Sequence, residues 1–237
     1  MKVLLFSNFS ISYTDYTHML FGNASVGFNW GKDKSNTTKW VERDLVFYSK
    51  EKGNNTSRGT MILGSLSKRI EGIRGMVNAK CLGFLNRATI LQNGESVDYK
   101  TNMWQTSVGL NSNVHDWLEI DYQLGYNINS LSFSKAKTST KLLTQALNIS
   151  FLPIEDLTLT VMAEHYANNF SSLPSKQTIF SDIKCSYRYR KIDIVGSLTN
   201  VFNQKDYNNT VYTDLSSSYT RYALRGRTFL LSLVAYF

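Results

Sequence analysis

Residues 118–129 read LEIDYQLGYNIN, and this stretch decides the fold. Apolar and polar side chains alternate strictly along it, with the apolar positions at Leu118, Ile120, Tyr122, Leu124, Tyr126 and Ile128. A β-strand places successive side chains on opposite faces, so the pattern predicts a strand with one apolar and one polar face. At the helical period the same residues would spread around the whole circumference and leave no polar side. The stretch is therefore predicted to be a two-faced β-strand.

Four further stretches show the same alternation, beginning at Leu20, Leu157, Ile192 and Phe229. Together with less regular runs they predict about ten to twelve strands, most of them long enough for the roughly 9–11 residues that cross a bilayer at a tilt. Short connections are predicted at 112–116, 153–156 and 189–191, and long polar ones at 32–39, 50–58, 92–96, 134–141, 168–177 and 203–218. Residues 37–49 fit either an extra strand or an outward extension of a loop.

Alternating short and long connections are typical of a membrane barrel with tight turns on one side and longer loops on the other. The predicted fold class is therefore all-β, an antiparallel transmembrane β-barrel of meander strands. The composition agrees, because 14 Tyr, 13 Phe and 4 Trp accompany many Asn, Ser and Thr. That mixture is expected of aromatic girdles around a wet interior. No stretch approaches the roughly 18 consecutive apolar residues of a transmembrane helix.

The formal net charge of +8 raises nucleic acid as a partner. The basic residues are spread through predicted turns and strand ends, however, so we expect solvated loops that face anionic lipid headgroups, and no nucleic-acid partner. Residues 1–6, MKVLLF, resemble an export signal only briefly, since the apolar run ends after about four residues in a strand-like segment without a cleavage site. We therefore expect no signal peptide, and a single barrel segment over residues 1–237 without a plug domain.

Residue types that carry chemistry are scarce. Glu164 and His165 are adjacent in a predicted strand, so their side chains point to opposite faces and cannot share a metal ion. His18 and His115 fall in predicted turns, with no cysteine or carboxylate cluster at metal spacing. Cys81 and Cys185 are expected to pack within strands rather than form a disulfide. With no nucleophile elbow, P-loop or dinucleotide fingerprint present, we predict no enzyme activity, no catalytic residue, no metal site and no cofactor.

The C-terminal part carries the most specific motifs. The chain ends in Phe237, with apolar residues at every second position before it, and this resembles the signal by which the barrel-assembly machinery recognises outer-membrane proteins. The residues that carry this resemblance are Phe229, Leu231, Leu233, Ala235 and Phe237. Upstream, residues 198–207, LTNVFNQKDY, resemble the stretch that precedes the last strand of TonB-dependent receptors, through Asn200, Phe202, Asn203 and Tyr207.

Residues 163–168 and 180–189 also resemble the penultimate strands of the receptor subfamily that carries a carboxypeptidase-regulatory-like N-terminal domain. The resemblance implies a 22-stranded barrel around an N-terminal plug, located in the outer membrane of a Gram-negative bacterium. It implies energy-coupled import of a bulky nutrient such as a glycan, peptide, siderophore or corrinoid. The implied partners are outer-membrane lipid and lipopolysaccharide, the barrel-assembly machinery and, through N-terminal regions, TonB and a surface lipoprotein.

About half of the strands of such a receptor are absent here. The chain is therefore expected to be the C-terminal portion of the barrel, an incomplete half that does not transport alone. Two other hypotheses stay open. One is a complete small outer-membrane barrel, acting as a channel or a hydrolase. The other is a soluble β-sandwich or lectin-like binding protein.

Overall fold

The structure is a computed structural model that describes residues 2–43, 45–92, 95–133, 136–168, 177–212 and 217–236. Within these ranges the chain forms thirteen β-strands and one short 3-10 helix, Glu71–Ile73. The strands are β1 Lys2–Asp15, β2 Leu20–Glu42, β3 Leu45–Ile70, β4 Gly75–Gln92, β5 Glu95–His115, β6 Leu118–Phe133, β7 Ala136–Ile154, β8 Leu157–Asn168, β9 Gln177–Tyr189, β10 Ile192–Thr199, β11 Asp206–Tyr212, β12 Ser217–Ala223 and β13 Thr228–Ala235.

Eleven of these strands form one antiparallel sheet in the order β1 to β10 and then β13. The predicted all-β fold, with one large antiparallel sheet, is confirmed. The predicted simple meander is interrupted once, because β11 and β12 pair only with each other and form a separate hairpin. The chain leaves the sheet after β10, makes this hairpin, and returns as β13 on the free edge of β10.

The connections fall at two ends of the sheet. We call one the turn end, where tight connections at 16–19, 71–74, 116–117, 155–156 and 190–191 join successive strands. We call the other, where β2, β4, β6, β8 and β10 end, the loop end. The three predicted short connections lie at the turn end, within a few residues of their predicted positions. Met19, Arg74 and Arg190 adopt left-handed backbone conformations there, with φ of 47°, 46° and 56°, a conformation common in tight turns between antiparallel strands.

Two of the predicted long polar connections are parts of strands. Residues 32–39 and 50–58 belong to β2 and β3, whose pairing continues from the sheet as far as Glu42 and Leu45. Residues 37–49 are thus an outward extension of this hairpin and not an extra strand. A ladder is held by backbone groups, so a polar sequence rich in Asn, Ser and Thr can remain paired beyond the apolar part of the sheet. Residues 169–176 of the predicted connection at 168–177 lie outside the described residues.

In the ranges that the structure describes, the eleven-stranded sheet is a single layer without a packed core. A folded globular protein of 27.0 kDa exposes about 10,800 Å² of accessible surface, whereas this chain exposes 16563 Å². Apart from glycines, the buried residues in the described ranges are Ser112 and Ser181. In the described part of the chain no helix is long and apolar enough to cross a membrane.

The two edges of the sheet are β1 and β13. Both run from the loop end to the turn end, because the first and last of eleven successive antiparallel strands must point the same way. Among the described residues, neither edge pairs with a further strand. The pairing of one edge with the other, which would close a barrel, is therefore not seen in this part of the chain.

Candidate functional site

The register of the sheet separates its side chains into two chemically different faces. Directly paired residues of antiparallel strands lie on the same face, so the pairing can be followed from Tyr122 across the sheet. Tyr122 pairs with Leu110 of β5 and with Leu147 of β7. Continuing through the same positions gives Val77, Lys68 and Leu20 towards β2, and Ala163 of β8 and Ser181 of β9 on the other side.

The face that carries Leu118, Ile120, Tyr122, Leu124, Tyr126 and Ile128 is mainly apolar in all eleven strands, with charged side chains such as Lys68 at the turn end, and we call it the apolar face. It includes Phe9 and Ile11 at one edge and Phe229, Leu231, Leu233 and Ala235 at the other. In the described parts of β4 to β10 it carries no Asp, Glu, Lys or Arg from the turn end as far as Arg87 of β4, Lys100 of β5 and Lys141 of β7. Many of these side chains are open to the surroundings; Ile11 is 72% exposed and Leu233 is 67% exposed.

The opposite face is mainly polar, and we call it the polar face. It carries the polar positions of residues 118–129, Glu119, Asp121, Gln123, Asn127 and Asn129, and Asp121 pairs with Asn111 and Asn148. It also carries charged side chains at Lys80, Glu164, Asp182, Lys184, Arg188 and Asp193. Charges and amides are thus concentrated on one side of a single-layer sheet whose other side is apolar.

Near the β1 edge, the polar face includes an apolar patch. Phe6, Met61 and Leu63 lie on that face and line an open groove of about 470 Å³ together with Gly27. Phe6 is 73% exposed and Met61 is 43% exposed. Such a patch on an otherwise polar surface is unusual for a surface that only meets water, and it is typical of a contact surface.

The predicted assembly signal lies on the edge strand. Phe229, Leu231, Leu233 and Ala235 of β13 pair with Leu198, Gly196, Ile194 and Ile192 of β10, and all lie on the apolar face. Phe229 is 69% exposed, because β13 has a paired neighbour on one side only in the described part of the chain. Phe237 lies outside the described residues. Recognition by an assembly machinery stays a prediction.

The motif residues Asn200 and Asn203 form a compact hydrogen-bonded turn where the chain leaves the sheet. Both have left-handed backbones, with φ of 54° and 55°. The Asn200 side chain donates through Nδ2 to the carbonyl oxygens of Gln204 and Arg225, at 2.8 Å and 2.9 Å, and its Oδ1 accepts from the Gln204 amide at 2.7 Å. One asparagine therefore joins the start and the end of the segment that contains the β11–β12 hairpin.

Three further groups complete this turn. The backbone amide of Asn200 donates to Oδ1 of Asp182 on β9 at 2.7 Å. The amide of Arg227 donates to Oδ1 of Asn203 at 3.1 Å, and the Arg227 guanidinium donates through Nε to the carbonyl oxygen of Val201 at 3.0 Å. Asp182 and Arg227 were not singled out from the sequence, since each lies about twenty residues or more from the motif it contacts. Phe202 is 63% exposed and makes no described aromatic contact.

Tyr207, the last residue of the motif, holds the hairpin against the polar face. Its ring lies 6.3 Å from that of Tyr166 and 6.1 Å from that of Phe180, which themselves are 6.0 Å apart. Tyr166 and Phe180 belong to β8 and β9 and lie on the polar face. Tyr222 of β12 stacks on Tyr207 at 6.2 Å. The β11–β12 hairpin is therefore turned towards the polar face by an aromatic cluster.

The hairpin also contains an ion pair at its base. Nη2 of Arg221 lies 2.6 Å from Oδ2 of Asp206, and Nε lies 2.9 Å from Oδ1. This two-point contact with the Arg221 guanidinium, together with the nearby Lys205, holds the pKa of the Asp206 carboxyl below its usual range. At the opposite end of the molecule, a hydrogen bond from the His18 ring to Asp15 at 2.7 Å lowers the pKa of the Asp15 carboxyl in the same way.

The turn end of the last strands is tied by side chains of the polar face. Arg188 of β9 and Asp193 of β10 are directly paired, and their side chains form a two-point ion pair at 2.8 Å and 3.2 Å. The hydroxyl of Tyr236, just after β13, donates to the same carboxylate at 3.0 Å. Three consecutive strands of the sheet are thus joined at this point.

The residues considered in the sequence for metal binding or a disulfide do not come together in the structure. Glu164 lies on the polar face, where Oε2 accepts a hydrogen bond from the Tyr166 hydroxyl at 2.9 Å, whereas His165 lies on the apolar face. Cys81 and Cys185 are both free thiols on the apolar face. Within the ranges that the structure describes, no three His, Cys, Asp or Glu residues are grouped so that they could hold a metal ion.

Comparison of the sequence with known proteins found no match. The chain matches no protein-family model, and no curated protein matches it. The resemblance to TonB-dependent receptors therefore depends on the motif residues themselves and stays a prediction.

Proposed function

We propose that this chain is part of the wall of a β-barrel in the outer membrane of a Gram-negative bacterium, with the apolar face against lipid and the polar face lining the lumen. The observation that carries this proposal is the shared apolar face of eleven paired strands, which no second layer covers in the described part of the chain. A soluble protein would cover such a face with helices or a second sheet, because exposed apolar area is unfavourable in water.

The strand directions favour an incomplete wall over a complete small barrel. Since β1 and β13 run the same way, direct closure would join two parallel strands at the seam. Bacterial single-chain barrels have even numbers of antiparallel strands. An odd number of further strands between β13 and β1 would make every seam antiparallel. A second copy of this sheet, placed between β13 and β1 in the same orientation, would leave parallel seams. Its two outer strands also run from the loop end to the turn end.

The receptor hypothesis gives a use for the features of the polar face. A polar lumen wall, an apolar patch at Phe6 and Met61, and a hairpin turned towards the lumen suit a barrel that encloses a plug and a bulky ligand. The Asn200 motif begins the segment between β10 and β13, the last two strands of the sheet, and so precedes the last strand as in the receptors it resembles. We therefore propose a C-terminal barrel portion of a TonB-dependent receptor for energy-coupled nutrient uptake. The wall holds no chemistry of its own.

A pair of labels on adjacent residues tests the lipid-facing assignment. Val108→Cys lies on the apolar face and Ser107→Cys on the polar face of β5, each introduced after Cys81→Ser and Cys185→Ser. Each thiol carries an environment-sensitive fluorophore, and the full chain is reconstituted into vesicles that contain brominated lipid. We expect strong quenching at position 108 and little at position 107. Equal quenching at both positions would refute a lipid-facing apolar face.

Three further measurements separate the competing hypotheses. A folded monomer that stays soluble in plain buffer would support the β-sandwich and contradict the barrel. Stable single-chain conductance in planar bilayers would support a complete small barrel, whereas an incomplete wall should conduct only when further strands close it. Hydrolysis of lipid or peptide by the purified chain would support the enzyme hypothesis, and we expect none.

A further inference from the structure

Four cations occupy one cross-strand line at the loop end of the apolar face. Arg58 of β3 pairs directly with Arg87 of β4, and Arg87 pairs directly with Lys100 of β5. Lys100 pairs with Ser132 of β6, which pairs in turn with Lys137 of β7. We call Arg58, Arg87, Lys100 and Lys137 the basic row. Because direct partners in an antiparallel sheet share a face, these side chains are neighbours on one surface.

The protein supplies little to offset this positive charge. Like charges directly opposite each other destabilise a sheet. In the described part of the chain, none of the four cations forms a hydrogen bond or an ion pair with another residue. The nearest carboxylate on the same face in the described strands is that of Asp98, which lies two residues closer to the loop end than Lys100. It accepts a hydrogen bond from the Thr89 hydroxyl at 3.4 Å.

The basic row has the shape of a binding surface. Arg58, Arg87 and Lys100 line an open groove of about 410 Å³ together with Thr89, Asp98 and Ser132. The groove offers two guanidinium groups, one ammonium group and hydroxyl groups within one concavity. Guanidinium groups donate two parallel hydrogen bonds to phosphate oxygens, and an ammonium group adds a compact charge. A ligand with one carboxylate-like charge would be a poorer match for three cations than a phosphoryl group.

The position of the row indicates the source of the phosphate. On β4 and β5 it lies where the charge-free part of the apolar face ends, and Trp30 of β2 is the direct partner of Arg58. Tryptophan is typical of the boundary between hydrocarbon and headgroups in membrane barrels. If the apolar face contacts lipid, as proposed above, the row lies at the depth of the lipid headgroups on the loop side.

We propose that the basic row binds the phosphoryl groups of an anionic lipid headgroup at the membrane boundary. The row is thus a specific lipid site on the outside of the wall, separate from the polar face and its lumen. This inference depends on the proposed membrane location, but it adds a site, a ligand chemistry and three principal residues, Arg58, Arg87 and Lys100. Lys137 extends the row beyond the groove.

The test compares two triple variants of the full chain. Arg58→Gln, Arg87→Gln and Lys100→Gln remove three charges from the row. Lys80→Gln, Lys184→Gln and Lys191→Gln remove three charges from the polar face and a turn, and serve as the matched control. Binding is measured in detergent micelles by native mass spectrometry, with diphosphoryl lipid A, with the same lipid after removal of both phosphates, and with inorganic phosphate.

We expect the parent chain and the control to prefer the diphosphoryl lipid over its dephosphorylated form. The variant of the row should lose affinity for the diphosphoryl lipid by about tenfold or more, as the loss of several charge-assisted hydrogen bonds predicts. Equal affinities in the two variants would overturn the site. Displacement of the lipid by inorganic phosphate at similar concentration would overturn the assignment to a lipid headgroup.

Insertion into vesicles of neutral phosphatidylcholine, measured on the same samples, distinguishes failure of this inference from failure of the proposed function. If the chain associates normally with vesicles but the row variant binds lipid as well as the parent chain does, the lipid site is wrong and the barrel proposal stands. A parent chain that does not associate with the vesicles at all contradicts the proposed function, which places the apolar face against lipid. Far-ultraviolet circular dichroism confirms that both variants retain strand structure.

Discussion

The long strands β4 to β8 and the segment from Asn200 to Arg227 are stabilised in different ways. In the long strands, backbone pairing is interrupted only by register shifts beside two turns, and the side chains divide by face, so one residue can replace another of the same polarity. In the C-terminal segment the chain leaves the sheet, and a few particular side chains satisfy the backbone groups that pairing no longer reaches. Polarity therefore matters most in the first region, and residue identity in the second.

The largest effect should come from a charge placed on the apolar face. We expect Leu124→Arg to reduce the free energy of unfolding by about 2–4 kcal/mol in lipid vesicles, the cost of an arginine near the middle of a bilayer. Its neighbour on the polar face provides the control, since Gln123→Arg should change stability by only about 0.5 kcal/mol or less. Urea unfolding of the two vesicle-bound variants measures both. Similar losses would mean that the two faces do not differ in environment.

At the Asn200 turn, stability should depend on the identity of the residue rather than on its polarity. Asn200→Gly keeps the left-handed backbone but removes three side-chain hydrogen bonds, and we expect a loss of about 2 kcal/mol. Asn200→Ala should cost about 1 kcal/mol more, because alanine disfavours that backbone conformation. Phe202→Ala in the same motif should be nearly neutral, as its ring is exposed. If glycine and asparagine were equally stable here, the side-chain bonds would contribute nothing.

A smaller effect is expected where a strand glycine makes room for an aromatic ring. A Cβ atom added at Gly83 would lie 2.6 Å from Cζ3 of Trp104, its direct partner on β5. Gly83→Ala should therefore destabilise the sheet by about 1 kcal/mol. At Gly64, on the same face, no atom lies within 4 Å of such a Cβ, so Gly64→Ala should be neutral or slightly stabilising. Denaturant midpoints of the two variants give the comparison directly.

The smallest effect concerns the ion pair at the base of the hairpin. Because the pKa of Asp206 is lowered in the folded chain, the pair contributes stability above the ordinary aspartate pKa and loses it as pH falls through the lowered value. Carboxyl titration by NMR should give an Asp206 midpoint below 3.8, the unperturbed value. Arg221→Gln should move that midpoint upward. A midpoint that Arg221→Gln leaves unchanged would show that the ion pair does not perturb Asp206.

The agreement between sequence and structure follows the same division. The alternation in residues 118–129 correctly predicted β6, and the tight connection at 153–156 was found close to its predicted position. The long loops at 32–39 and 50–58 were wrong, since polar composition does not show whether backbone groups are paired. The Asn200 motif was visible, but its partners Asp182 and Arg227 were not, because no local spacing links them to it.

The sequence by itself determined that the chain forms strands and which side chains of each strand share a face, because a strand has a fixed period of two residues. It could not determine the register between strands, since that depends on which residues meet after the chain has turned. Only the tertiary structure aligned the apolar positions of eleven strands on one surface, placed Arg58, Arg87 and Lys100 in one line, and turned the β11–β12 hairpin towards the polar face. Each of these arrangements joins residues that are distant in sequence, so it exists only in the folded sheet.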